Sequence, residues 1–153
     1  MHSKYYIPAK SATLPYTVDV TPESAAWSEA SLWVVELVGT QELSLNTNGI
    51  EVMILPLAGE GTVECDNEAF EMSPRASVFD GPADMVYIGT GQQYTLCGEG
   101  RLAICGARAN RQFPNRRVAA GDVAVELAAK LTHGAGALGE HVVRVDRLEV
   151  DLA

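Results

Sequence analysis

The chain has 153 residues, of which 47% are hydrophobic and 20% charged, as is typical of one folded globular domain. Its formal net charge is −9 at pH 7, and an acidic surface is not attracted to a nucleic-acid backbone or an anionic membrane. We therefore expect neither among its partners. The sequence carries no secretory-signal pattern and no apolar run long enough to span a bilayer, which predicts a cytoplasmic protein. Cys65, Cys97 and Cys105 lie in apolar runs without disulfide spacing and are predicted to pack as free thiols.

Short strand patterns recur along the chain and are separated by glycine-rich turns. Alternating or β-branched runs predict strands at 15–20, 32–38, 42–46, 51–57, 62–65, 69–72, 76–79, 85–88, 94–97 and 102–105. Asp66-Asn67 is a turn pair and predicts a hairpin. Residues 22–27 predict one helical turn, while 122–130 suits either helix or strand. This density of short strands indicates an all-β sandwich or barrel.

The second half of the chain changes character twice. Five arginines cluster around residues 101–117: Arg101, Arg108, Arg111, Arg116 and Arg117. Guanidinium groups bind carboxylates well, so Arg101 and Arg108 are candidate substrate-binding residues; the alternative is a surface connection that balances nearby acids. A Gly/Ala-rich stretch at 134–139 then precedes an alternating run at 141–152. We expect residues 1–128 to form one barrel and 129–153 a linker and a terminal strand.

The spacing around Glu51 resembles the metal motifs of cupin-type jelly-roll barrels. In the first motif, His-x-His precedes a glutamate and a glycine; in the second, a Pro-x-Gly stretch precedes a third histidine. Glu51 and Gly59 match the first motif with one residue more than usual, but Leu45 and Thr47 stand where its histidines are expected. Tyr94 stands in the second motif's histidine position. The remaining histidines, His2, His133 and His141, have no ligand spacing, so the sequence predicts a degenerate cupin barrel without metal ligands.

Longer runs resemble one particular cupin family. They are KYYIPA at 4–9, 15–24 with Trp27, 34–37, 51–57, 62–65, 75–81 and 106–109. These runs, in this order, resemble 5-deoxy-glucuronate isomerase of myo-inositol catabolism across roughly residues 4–128. The resemblance implies a two-cupin protein of about twice this length, whose divalent metal is bound by its C-terminal cupin. This chain is then similar to the N-terminal, non-metal half.

Two functions follow from the resemblance. The family converts 5-deoxy-glucuronate to 5-dehydro-2-deoxy-gluconate, an aldose–ketose isomerisation that needs a base and usually a metal. Glu51 is a candidate base and Tyr94 a candidate donor, and no cofactor is expected in this chain, so we predict no turnover by the chain alone. The alternative is a non-catalytic cupin that assembles as a homodimer or higher homo-oligomer, or that binds a small sugar acid. An apolar interior is expected from Leu45, Ile54, Val63 and Ile88.

Overall fold

The structure is a computed structural model and describes residues 12–123. It contains one helical turn, α1 (Pro22–Ala25), and eight strands. The strands are β1 (Tyr16–Val20), β2 (Ala30–Leu37), β3 (Glu42–Asn46), β4 (Ile50–Cys65), β5 (Glu68–Arg75), β6 (Met85–Ile88), β7 (Gln93–Arg108) and β8 (Arg116–Val118). The linker and strand predicted within 129–153 lie outside the described residues. In the range that is described, no helix is long and apolar enough to cross a membrane.

Two long strands form the spine of the fold. The sequence predicted four short strands at 51–57, 62–65, 94–97 and 102–105, but they are two strands of 16 residues, β4 and β7, paired along their whole length. Gly98, which the sequence predicts as a break between strands, lies inside β7 where the paired backbones come close. A Cβ on Gly98 would lie 2.5 Å from a backbone carbonyl oxygen of β4, and its φ of 126° is open only to glycine. The glycines therefore bend the pair without ending either strand.

The remaining strands extend the two halves of this bent pair. The strand order is β1-β2-β7-β4-β6-β8, with β3 added to the first half of β7 and β5 to the second half of β4. All of these strand pairs are antiparallel. The all-β, cupin-like prediction is confirmed. Within residues 12–123 the sheet is not closed, and β1 and β8 lie at its two ends.

The core lies between the two halves of the sheet, and both contribute to one cluster of buried side chains. That cluster comprises Val35, Leu37, Val52, Ile54, Val63, Cys65, Met72, Val86, Ile88, Tyr94, Leu96, Leu102 and Ile104. Because side chains alternate between the two faces of a strand, Val52 and Ile54 of β4 both point into this core. Ile54, Val63 and Ile88 are fully buried, so the interior is packed, as the sequence indicated.

Several local predictions can be compared directly. The hairpin at Asp66-Asn67 is present, with φ of 52° and 65°, values that suit a tight two-residue turn. The helical turn is also present, capped by Thr21. The predicted strand at 76–79 is wrong, because the Asp80 carboxylate accepts the amide hydrogens of this segment and holds it as a loop. Of 122–130, only Asp122 and Val123 are described, and a 3₁₀ turn, Ala120–Asp122, ends there.

Candidate functional site

The interior positions of the metal motifs are occupied by core side chains. Tyr94 is 3% exposed, pairs with Leu45 across β3 and β7, and packs in the core cluster. Burial raises the pKa of its phenol, and the nearby Tyr16 raises it further. The structure therefore does not place the Tyr94 hydroxyl where a substrate could meet it, and Tyr94 acts as a packing residue.

Thr47, the second position of the expected His-x-His pair, is fully buried and fastens two turns together. Its hydroxyl donates to the carbonyl oxygen of Gly89 at 2.7 Å and accepts from the Gln92 amide at 2.9 Å. The hydroxyl of Thr90 donates in return to the carbonyl oxygen of Thr47 at 3.0 Å. These hydrogen bonds join the β3–β4 turn to the loop before β7, so the Thr47 hydroxyl already has backbone partners.

Glu51 lies on the outer face of the sheet, which corrects its interpretation as the surviving acid of the metal motif. Its neighbour Val52 points into the core, so the Glu51 side chain extends from the opposite face of the sheet. There it accepts a hydrogen bond from the hydroxyl of Tyr87 at 2.7 Å. Burial and the Glu51 carboxylate raise the pKa of Tyr87 to about 12. Glu51 and Tyr87 are therefore a hydrogen-bonded pair on the outer face of the sheet.

The donor set at the motif positions does not fit a divalent metal. The four interior positions hold Leu45, Thr47, Val52 and Tyr94, and none of these supplies the imidazole or carboxylate ligands that such metals prefer. Across residues 12–123, no group of three or more His, Cys, Asp or Glu side chains could hold a metal ion. The three histidines of the chain lie outside the described residues.

The two candidate substrate-binding arginines are far apart on β7. They are separated by seven residues, which corresponds to about 23 Å along a strand. Arg101 is exposed and lies opposite Glu36 in the register. Arg108 is also exposed, and its guanidinium lies 3.8 Å from the Glu23 carboxylate. The structure does not bring either arginine together with Tyr94, which is buried in the core.

Cysteine placement differs among the three positions. Cys65 is buried in the core, as expected, and both burial and the neighbouring Asp66 raise the pKa of its thiol. Cys97 is half-buried, whereas Cys105 is exposed on β7, so Cys105 is less well packed than its apolar run predicts. All three are free thiols.

Asp84, a buried carboxylate with three hydrogen-bond donors, is a residue that the sequence did not indicate. Its side chain is 2% exposed, and its carboxylate accepts hydrogen bonds from the Ser73 amide at 2.6 Å, the Ala120 amide at 2.7 Å and the Arg117 guanidinium at 2.8 Å. Burial alone would raise the pKa of this carboxyl, but the three donors outweigh it and hold the pKa far below its usual range. Asp84 thus ties β5, β8 and the final 3₁₀ turn to the start of β6.

The Arg117 side chain also lines an open groove with a volume of about 630 Å³ beside β5. Its polar lining includes Glu60, Thr62, Glu71 and Ser73, and Phe70 supplies an aromatic face. One nitrogen of the guanidinium donates a hydrogen bond to the Asp84 carboxylate, which orients the group. This groove has the size of a small-molecule site and a positioned cation, although two carboxylates share it.

Comparison with known proteins identifies the family. The model of the KduI/IolB family matches residues 5–136. The chain belongs to this family. It is 29% identical over 117 residues to the 5-deoxy-glucuronate isomerase of Shouchella clausii (strain KSM-K16), covering 74% of this chain and 43% of that protein. It is 27% identical over 122 residues to the protein of the same name from Listeria monocytogenes serotype 4b (strain CLIP80459), covering 76% and 45%.

Solved structures agree on the fold. An IolB-like protein from Salmonella typhimurium LT2 superposes with a TM-score of 0.72 at 23% identity, covering 78% of this chain and 47% of that one. The protein YlbA from E. coli superposes with a TM-score of 0.53 at 12% identity, covering 76% and 50%. The KduI/IolB chain described here therefore spans about half the length of the relatives it matches.

Proposed function

We propose that this KduI/IolB chain is the non-metal cupin part of an aldose–ketose isomerase that acts on 5-deoxy-glucuronate in cytoplasmic inositol catabolism. In this proposal the chain supplies a folded support, and the reactive groups and the divalent metal belong to a second cupin. The two curated relatives are both named 5-deoxy-glucuronate isomerase, and each has more than twice the length that this chain matches.

One observation carries the supporting role: the interior positions where a cupin binds metal and substrate are filled by packing side chains. Leu45, Val52 and Tyr94 belong to the core or pack against it, and the Thr47 hydroxyl is bonded to two turns. Aldose–ketose isomerisation moves a proton through an enediol, which requires a base within hydrogen-bond reach of the substrate carbon. The side chains at these positions offer no base to a substrate carbon.

Two assays test this proposal. In the first, the purified 153-residue chain is incubated with 5-deoxy-glucuronate and product is followed; no turnover is expected. In the second, residues 5–136 of this chain replace the matched segment of the Shouchella clausii isomerase, and the chimera is expected to turn over the substrate. Turnover by the chain alone would contradict the supporting role. A folded but inactive chimera would contradict the assignment to this isomerase.

A matched variant of the chimera tests the remaining catalytic candidate. Glu51→Gln keeps the size of the side chain and can still accept a hydrogen bond from Tyr87. Loss of a general base slows a reaction by roughly 100-fold or more, whereas loss of an outer-face contact should leave kcat/KM within about two-fold. We expect the smaller change. A loss of 100-fold would restore Glu51 as the base.

Binding of a small sugar acid is a second candidate, favoured by the Arg117 groove. A guanidinium that is already oriented by Asp84 loses little freedom when it pairs with a ligand carboxylate. Glu60 and Glu71 line the same groove and repel an anion, so weak binding is expected. Thermal shifts with glucuronate and with glucose separate the cases: a rise in Tm with glucuronate only supports this candidate, and no rise with either contradicts it.

A further inference from the structure

One half of the sheet is apolar on both of its faces. This half consists of β1, β2, β6 and β8 with the first part of β4 and the last part of β7. Its inner face contributes Val52 and Ile54 to the core. On the outer face, the intervening Met53 and Leu55 are also apolar, yet they belong neither to the core cluster nor to the side chains packed against it. An antiparallel sheet with one face in water usually alternates apolar and polar residues, so the outer face has the composition of a covered surface.

The strand register shows that this surface is continuous across six strands. One row of paired residues comprises Val20, Leu32, Cys105, Met53, Tyr87 and Arg116. In the next row, the Ile54–Val86 pair places Leu55 beside Met85. That row comprises Val18, Val34, Ala103, Leu55, Met85 and Val118. These two rows are called the outer apolar face, and Arg116 at the edge of the sheet is its one charged residue.

Charged residues border the outer apolar face. Glu51 lies beside the first row, and the paired Glu36 and Arg101 lie beside the second. Cys105, near the centre, is exposed, so the face is accessible there. An apolar centre with a charged border is the usual anatomy of a protein interface.

The dimensions of the face require a folded partner. Six strands span about 29 Å, and two rows of side chains occupy about 14 Å along the strands. The face therefore measures about 400 Å², or about 800 Å² when both partners are counted, which lies within the range of about 600–1,500 Å² typical of interfaces between domains. A single extended segment covers the width of one strand, about 5 Å, and leaves most of this surface in water.

We propose that the outer apolar face binds the second cupin of the isomerase, the part to which the divalent metal belongs. This inference rests on the proposed function and names the surface through which the support acts. More than half of each curated isomerase lies outside the segment that this chain matches. A second fold of that length is large enough to cover the whole face, and β-sheets pack face to face at about 10 Å.

The Cys105 thiol reports whether the face is covered. The test compares the purified 153-residue chain with the chimera in which residues 5–136 replace the matched segment of the Shouchella clausii isomerase. Both are treated with iodoacetamide, and mass spectrometry of the labelled peptides gives the rate at each cysteine. We expect Cys105 to react at least about 10-fold more slowly in the chimera, because thiol reactivity requires access. Cys97, half-buried on the outer face of the other half of the sheet, is the internal control and should change by less than about two-fold.

Two matched variants of the chimera locate the contact. Leu55→Lys places a charge within the outer apolar face and should return the Cys105 rate to within about two-fold of its value in the chain alone. Thr95→Lys places the same charge on the outer face of the other half of the sheet and should leave Cys105 protected. Circular dichroism melting verifies that both variants remain folded. A Leu55→Lys chimera that stays protected contradicts the proposal.

The remaining outcomes separate this proposal from the isomerase assignment. A folded, active chimera whose Cys105 reacts as fast as in the chain alone overturns the docking surface and leaves the isomerase assignment standing. A folded, inactive chimera with protected Cys105 contradicts the assignment and supports the surface. Slow labelling in the 153-residue chain itself also overturns the proposal: a concentration-dependent rate would identify a second copy as the cover, and a constant slow rate the chain's own residues.

Co-expression decides the matter if the chimera does not fold. The full 153-residue chain, carrying an affinity tag, is produced together with the unmatched part of the Shouchella clausii isomerase. We expect the two to purify together from the wild-type chain and from Thr95→Lys, and to separate in Leu55→Lys. Failure of the wild-type chain to retain the second part overturns the proposal.

Discussion

Replacing Asp84 by Asn should destabilise the fold strongly. The variant keeps the shape of the side chain, but an amide offers one acceptor oxygen where the carboxylate uses two. Oδ2 accepts from the Ser73 amide and from Arg117, while Oδ1 accepts from the Ala120 amide. In either orientation of the Asn amide, at least one of these donors faces an NH₂ group and loses its partner.

The size of the effect follows from these contacts. Each hydrogen bond to a charged group is worth about 1.5–3 kcal/mol, and a buried donor left unpaired adds its own desolvation cost. We expect a loss of about 3 kcal/mol in the free energy of unfolding, or roughly 12 °C in Tm for a domain of this size. Urea unfolding measures the first and circular dichroism melting the second.

The control for Asp84→Asn is Asp19→Asn, which removes the same charge from an exposed position on β1. It should change the free energy of unfolding by less than about 0.5 kcal/mol. A loss below about 1 kcal/mol for Asp84→Asn would refute the reasoning, because it would show that water replaces the three donors at little cost.

Three further outcomes are expected. Because folding lowers the pKa of Asp84, the stabilisation from its carboxylate is complete above the ordinary pKa near 3.9 and is lost as the pH falls below that value. The difference in free energy of unfolding between wild type and Asp84→Asn, measured in urea, should therefore shrink on acidification, and a constant difference would contradict this. Gly98→Ala should cost at least about 2 kcal/mol, because its Cβ would lie 2.5 Å from a carbonyl oxygen of β4 at a φ of 126°, whereas Gly121→Ala, in open space, should be nearly neutral in the same assay. Absorbance titration should show one phenol with a pKa of about 12 that disappears in Tyr87→Phe and falls in Glu51→Gln, and an unchanged titration curve would argue against the pair.

Most strands could be predicted because local rules decide them. Alternation in 16–20 and 42–46, and the Asp66-Asn67 turn, depend on residues that are neighbours in the chain. The length of β4 and β7 could not be predicted in this way. A glycine within a strand signals either a break or a close approach by a facing backbone, and only the pairing of Gly59 with Gly100 distinguishes the two.

Asp84 could not be found for a similar reason. Its amide donors come from Ser73 and Ala120, which are 11 and 36 residues away in the chain. No local pattern in the sequence links three such positions. Residues 76–79 are predicted as a strand from the apolar side chains of Val78 and Phe79, but the hydrogen bonds that Asp80 accepts from the backbone amides hold the segment as a loop.

The error at Glu51 shows why spacing alone misleads inside a strand. A shift of one residue moves a side chain from one face of a sheet to the other. A glutamate that is one position away from the inward-facing motif position therefore points away from the site. Val52 occupies the inward position instead, beside a core that includes Tyr94. Restoring one histidine there would bury an imidazole without partners, which costs stability and creates no site. Because several positions must change together before any metal is held, the interior is committed to packing.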